Sequence, residues 1–356
     1  MFDPAGNAGR ESRDAPEMNH TEFGFLLLTM AGLMNASFTL PMKFTRRWAW
    51  ENTWLAWSVF ALLLLPTVVT LSTVPELAAV YRISGLTQVL CVMAFGAGWG
   101  LAQVFFGIAV DDIGIALTFS LVLGTSAAVG ALIPMLRLHR DKLDTPAGHI
   151  LLLGIAAVLV GVAICAVAGR LRERAKPATA GKGHGNATVG LVLAIICGCG
   201  ASFVNFGLAF GAPLIDVAAQ HGASATSAAN AVWLPLMAAG AVPNLLYCFY
   251  LLRKNSSGNN FARGGFNHWT LAFVMAAFWF GSTLLYGASV VQLGPLGAVL
   301  GWPLFMSLIV IAASMLGIVT GEWKQSGRRP LAVQLAGVAV LILAIFILAT
   351  ASQALA

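Results

Sequence analysis

Charge is what this chain has least of. Charged residues make up 10% of its 356 positions, against about a quarter in a typical soluble domain. So little charge cannot wet a globular surface, and a water-soluble fold is excluded. The shortage is also uneven. Ten stretches hold no Asp, Glu, Lys, Arg or His: 23–41, 54–74, 86–110, 113–136, 150–169, 189–212, 229–252, 269–291, 294–318 and 331–351. All six histidines lie outside them, so a haem or metal within a membrane has no ligand set, and neither cofactor nor metal is expected. None of the five cysteines, Cys91, Cys165, Cys197, Cys199 and Cys248, forms a CxxC pair. Each sits in an apolar stretch and reads as a small hydrophobe. The stretches contain no paired acids and no activated nucleophile, which argues against an enzyme embedded in the bilayer. The longest loops, 170–188 and 253–268, are short and rich in Gly, Lys and Asn. They read as linkers and leave no soluble domain for a sensor or scaffold.

What remains is apolar sequence, 58% of the chain. About 20 apolar residues at 1.5 Å rise cross a bilayer as a helix. Strands would alternate apolar with polar residues, and these runs do not. The expected fold is therefore an all-α membrane protein of ten transmembrane helices. The first run follows a mixed-charge tail and precedes KFTRRW, unlike a cleaved signal peptide. The expected organisation is a disordered tail at 1–22, a first helical half at 23–169, a basic linker at 170–188, a second half at 189–351 and a short tail at 352–356. Met18 is an alternative start.

The net charge of +6 is best read by position. With the N-terminus outside, the inner loops hold 14 of the 20 basic residues, and the outer side holds Arg10, Arg13, Arg82, Arg137, Arg140 and Lys142. The positive-inside rule then puts both termini outside, periplasmic in a bacterial inner membrane. Retention of basic loops in the cytosol explains them without nucleic acid.

The chain also repeats itself. WGLAQVFFGIAVDDIG from Trp99 echoes WFGSTLLYGASVVQLG from Trp279. Trp99 and Trp279, Phe106 and Tyr286, Gly107 and Gly287, and Gly114 and Gly294 pair at one offset of 180 residues. Weaker echoes join NASF at 35–38 to GASF at 200–203, and NTWLAW at 52–57 to NAVWLP at 230–235. Two halves of five helices each must run in opposite senses, a 5+5 inverted repeat. Such repeats characterise alternating-access transporters, with the substrate near the midplane. Both halves lie in one chain, so a monomer suffices.

Two aspartates, Asp111 and Asp112, interrupt the apolar sequence. The repeat places them at a tight turn on the inner surface. They suit the N-terminal cap of the fourth helix, or a protonatable gate at the cytoplasmic mouth. Glu51 and Glu322 are further acids at span ends, readable as partners of nearby Arg or Lys or, for Glu51, as a proton site. Trp48, Trp50 and Trp54 read as an interfacial belt. Inside the spans, polarity is neutral. Asn35, Gln103, Asn205 and Ser282 offer amides and a hydroxyl, and Trp99, Trp279, Tyr286 and Trp302 offer rings. Amides bond hydroxyls while an apolar sugar face lies on an aromatic ring. With no intramembrane cation to hold a carboxylate or phosphate, a neutral or zwitterionic substrate is favoured.

Four motifs resemble the L-rhamnose–proton symporter family of the drug/metabolite transporter superfamily: PMKFTRRWAWENTW (41–54), FGAGWG (95–100), the run Ile115–Pro134 with LGT at 123–125, and GEWKQSGRRP (321–330). The resemblance covers about residues 23 to 351. It implies ten helices in a five-plus-five inverted repeat and uptake of a deoxy-sugar with protons across a bacterial inner membrane. It also implies roles for Trp50 and Glu51, which match a Trp–Glu pair, for Gln103 at an amide position and for Tyr286 at an aromatic one. Helix nine, GPLGAVLGWPLF, and the paired aspartates depart from the family pattern, which leaves the particular sugar open. The expected function is proton-coupled uptake of L-rhamnose or a related neutral sugar. The alternative is a carrier or exporter of another small neutral or zwitterionic metabolite in the same superfamily.

Overall fold

In the computed structural model, residues 19–175, 186–324 and 326–355 are described. Among them there is no strand. Ten helical segments are long and apolar enough to cross a membrane. They are α1 (His20–Phe44), α2 (Trp50–Thr73), α3 (Leu86–Val110), α4 (Leu117–Leu138), α5 (Pro146–Ala175), α6 (Ala187–Gln220), α7 (Asn230–Lys254), α8 (Asn260–Gln292), α9 (Gly297–Val319) and α10 (Arg328–Ala351). Each overlaps one of the ten charge-free stretches. The helices outrun the stretches at several ends: α5 continues through Arg170–Ala175, and α10 continues as helix to Leu355. Part of the expected linker at 170–188 is thus helical.

An even number of crossings puts the start of α1 and the end of α10 on one face. We call it the terminal face. Contacts between helix ends agree with strict alternation. His20 at the start of α1 lies 2.7 Å from the Gln292 side chain at the end of α8. Lys43 at the end of α1 meets Glu322 beyond the end of α9.

Packing follows small residues. Lipid offers no hydrophobic drive between helices, so close backbone approach must provide dispersion contacts. A side chain at Gly96 or Gly100 of α3 would collide with the Leu236 or Gly240 carbonyl of α7. Gly154 and Gly161 of α5 receive Leu348 and Leu341 of α10 in the same way. The main neighbours are α1 with α8 and α9, α6 with α3 and α4, α2 with α7 and α8, α4 with α5 and α9, α7 with α3, and α10 with α5 and α9. Moving every label by five reproduces the same set.

Several spans are not continuous α-helix. Helix α1 ends in a 3₁₀ turn, Leu40–Phe44, entered through Pro41. Helix α2 contains a π-helical turn, Val59–Leu64, just before Pro66. Helix α6 is interrupted at Ser202 and Gly211. Helix α8 is kinked at Gly265, where φ is 63°. Discontinuous helices expose backbone groups, and in membranes they persist where those groups find partners or line a cavity.

The junctions after α3 and α8 are matched. Gly114 and Gly294 carry φ of 83° and 79°, a left-handed conformation that costs a residue with a Cβ. The repeat register of 180 residues thus coincides with a glycine of positive φ at each junction. This position also corrects the expected role of the aspartates. Helix α3 continues to Ile113, so Asp112 lies in its last turn, and Gly114 itself occupies the capping position of the next helix with no side-chain cap bond. An acid at a helix C-terminus opposes the helix dipole rather than complementing it. The Asp111 side chain lies outside the described residues.

Candidate functional site

The predicted substrate residues separate into two groups. The first is an aromatic file at mid-membrane. Trp99 of α3 stacks on Trp279 of α8, with ring centroids 5.4 Å apart and planes at 24°. Trp279 also meets the edge of Trp57 at 5.2 Å. Trp57 lies 4.4 Å from Trp54, which stacks on Trp50 at 5.2 Å. Five tryptophans therefore run from the middle of α3 toward the N-terminal end of α2. Trp99 and Trp279 are repeat equivalents in contact with each other.

Polar groups border this file. Asn35 of α1 donates to the Ser282 hydroxyl at 2.9 Å, and Ser282 donates to the Trp279 carbonyl at 2.7 Å. Trp54 Nε1 donates to Asn244 Oδ1 of α7 at 3.3 Å. Gln103 lies one turn from Trp99 on the same face of α3. It is half-buried, and among the described residues its amide has no hydrogen-bond partner. Trp57 is 2% exposed, and its indole N–H is also unpartnered among the described residues. Buried polar groups are normally bonded, so free donors beside an amide are a reason to expect a ligand or ordered water.

The second group is a closed lock. Asn205 of α6 donates to the Gly130 carbonyl of α4 at 2.8 Å and to the Ala298 carbonyl of α9 at 3.0 Å. Its Oδ1 accepts from the Tyr286 hydroxyl at 2.5 Å. Both amide hydrogens are used, so Asn205 has no donor left. Trp302 Nε1 donates to the Ser126 carbonyl at 2.9 Å, and Ser202 donates to the same oxygen at 3.1 Å. Tyr286 stacks on Phe305 at 4.9 Å and meets Trp302 at 5.3 Å. Asn205, Tyr286 and Trp302 thus join α4, α6, α8 and α9. They do not meet the aromatic file in this conformation.

Glu51 differs from both readings of an ordinary interfacial acid. It is 4% exposed at the start of α2. Its Oε1 accepts from Ser257 Oγ at 2.5 Å and Asn255 Nδ2 at 3.0 Å, both beyond the end of α7. Among the described residues no cation is paired with it; Glu322 takes both ion pairs, with Lys43 and Arg172 at 3.1 Å each. The expectation of an Arg or Lys partner holds for Glu322 and fails for Glu51. The neighbouring Asn52 clamps the same corner, donating to the Ser257 carbonyl at 3.0 Å. Asp112 packs against α6, where a Cβ at Gly190 would lie 2.6 Å from its own Cβ.

The tryptophan belt is also revised. Only Trp50 is well exposed, at 42%. Trp48 is buried against Phe261, His268 and Trp269, and Trp54 faces the file. Sequence reasoning counted Asn244 among the intramembrane amides but did not place Trp54 and Trp57 beside Trp99 and Trp279. The signal was present: 50, 54 and 57 recur at the i, i+4, i+7 spacing of one helix face.

A family model described as L-rhamnose-proton symport protein matches residues 18–354. The L-rhamnose-proton symporter of Citrobacter koseri is 30% identical over 319 residues, covering 87% of this chain and 92% of that protein. The protein of the same description from Cronobacter sakazakii is 30% identical over 336 residues, covering 92% of this chain and 96% of that protein.

Proposed function

This chain belongs to the L-rhamnose-proton symport protein family, and from that premise we propose that it takes up L-rhamnose or a closely related neutral deoxy-sugar together with protons. As a member it is a transporter rather than an enzyme, and its ten spans make it a multi-pass membrane protein. The observation that carries the sugar reading is the Trp99–Trp279 stack bordered by Asn35, Ser282 and the unpartnered Gln103 amide. A deoxy-sugar has one apolar face for an indole and hydroxyls for amides. A charged substrate would need a cation, and the ten charge-free stretches within the spans provide none.

Alternating access by a 5+5 inverted repeat is the proposed mechanism. It is supported by the constant sequence offset, the paired left-handed glycines and the helix neighbours that repeat under a shift of five. Trp99 and Trp279 then mark the axis, where sugar sits between the halves. Glu51 is the proposed proton carrier. It is a buried carboxylate with no cationic partner among the described residues, and its bonds come from Ser257 and Asn255 beyond the end of α7, so a movement of that corner would change its surroundings within a cycle. Asp112 is the lesser candidate. The excess of basic residues on the face opposite the termini supports a periplasmic location for both ends in a bacterial inner membrane.

The test is uptake of labelled L-rhamnose into vesicles containing the protein, with and without an imposed proton gradient. Accumulation that requires the gradient supports the proposal. Gradient-independent uptake removes the coupling, and no uptake of rhamnose with uptake of another neutral solute reassigns the substrate.

A further inference from the structure

The two halves match in sequence but not in packing, and the mismatch concentrates at one pair of glycines. At Gly287 of α8, an added Cβ would lie 2.8 Å from Trp233 Cζ2 of α7 and 3.1 Å from Cβ of Ala229, the residue that caps α7. Trp233 and Ala229 are 0% exposed. At its repeat equivalent, Gly107 of α3, nothing among the described residues lies within 4 Å of an added Cβ. Their neighbours follow the same division. Tyr286 is 1% exposed, whereas its equivalent Phe106 is only half-buried and rests on Phe119, itself 45% exposed. Residues Gly297 to Ser307 of α9 are buried without interruption. Gly107 shares its helix face with Gly96 and Gly100, which touch the α7 backbone. Helices α3 and α7 are therefore in contact near mid-membrane and apart at Gly107.

We propose that this conformation is closed at the terminal face by α7 seated on Gly287, and that the opposite state closes the other face by seating α2 on Gly107. This rests on the alternating-access reading above. The register follows from Asn52 and Asn230, which head α2 and α7 in equivalent ways. Asn52 Nδ2 bonds the Ser257 carbonyl beyond the far end of α7, and Asn230 Nδ2 bonds Thr73 Oγ1 at the far end of α2. Their separation, 230 minus 52, carries Ala229 and Trp233 onto Glu51 and Leu55. The first turns of α2 are thus what Gly107 receives. The π-helical turn at Val59–Leu64 follows directly and supplies a place for that end of α2 to bend. The present closure is not deeply locked, because the Trp233 indole N–H is buried without a partner among the described residues. Glycine at 107 is required by the state that is absent here, not by the one that is present.

The test is Gly107→Leu, with Gly107→Ala as a smaller version should leucine express poorly. Leucine has open space here and favours a helix over glycine, so protein level and thermal stability should equal the parent. Two readouts follow. Gradient-driven uptake of labelled L-rhamnose should fall at least about tenfold, because one state is lost. In a background lacking the five native cysteines, Ala229→Cys should react with a membrane-impermeant maleimide from the terminal face, and Gly107→Leu should slow that reaction about tenfold. The labelling needs no sugar. Slowed labelling in a protein that carries no rhamnose would uphold the closure and reject the substrate. Unchanged labelling beside intact uptake would overturn the closure.

Discussion

Replacing Glu51 separates a proton site from a structural acid. In Glu51→Gln the shape is kept and the charge is lost. Two charge-assisted bonds, to Ser257 and Asn255, become neutral ones. Each loses on the order of 1–2 kcal/mol, the difference between charged and neutral hydrogen bonds. Removing a buried charge also recovers several kcal/mol of desolvation. The two terms oppose, so Glu51→Gln should fold with stability within about 2 kcal/mol of the parent. Glu51→Ala instead leaves the buried Ser257 hydroxyl unsatisfied, at about 1–3 kcal/mol, and should be visibly less stable. The functional assay compares two modes in vesicles. Exchange of labelled for unlabelled sugar needs no net proton movement. Accumulation does, and with one proton per sugar a gradient of one pH unit sustains about a tenfold concentration ratio. Glu51→Gln should exchange sugar normally, accumulate none above equilibrium, and lose the dependence on external pH. Tenfold accumulation retained by a well-folded Glu51→Gln protein would refute the reasoning and leave Glu51 as a helix-end clamp.

The other predictions concern the two polar groups and the aspartate. Trp279→Ala removes the ring stacked on Trp99 and should weaken sugar binding about tenfold, since an aromatic pair alone contributes about 0.5–1.5 kcal/mol beyond its area; Trp279→Phe should recover part of this, and an unchanged apparent affinity in both variants would take the stack out of the site. Gln103→Ala should lower sugar affinity without changing thermal stability, because among the described residues that amide bonds nothing; calorimetric or fluorescence titration of purified protein decides it. Asn205→Ala should do the reverse, with a fall in stability of a few kcal/mol from three partners left unpaired at about 1–3 kcal/mol each; a normal melting temperature would mean the lock is not structural. Asp112→Asn should keep pH-dependent accumulation and gain at most about 1 kcal/mol, since a negative charge leaves a helix C-terminus; loss of accumulation would transfer the proton role to Asp112.

Much of this protein was determined by the order of its residues alone. Ten charge-free stretches must be helices that cross a membrane, because lipid neither solvates a charge nor satisfies an unpaired peptide group. The same order placed Trp99 opposite Trp279 and Gly114 opposite Gly294, since a duplicated segment keeps its spacing. What the order could not decide was which way a side chain faces within the bundle. Asn205 and Gln103 are both mid-span amides in the sequence, yet one is saturated by three helices and the other has no hydrogen-bond partner among the described residues. Trp54 and Trp57 sit where an interfacial belt is plausible, and only the rotation of α2 turns them to the axis. Glu51 and Glu322 both lie near Arg and Lys in sequence, but among the described residues only Glu322 is ion-paired, and its partners Lys43 and Arg172 are far from it in sequence. The difference between Gly107 and Gly287 is the clearest case. The sequence offset pairs them, yet Trp233 and Ala229 fill the space beside Gly287 while, among the described residues, nothing lies within 4 Å of a Cβ at Gly107.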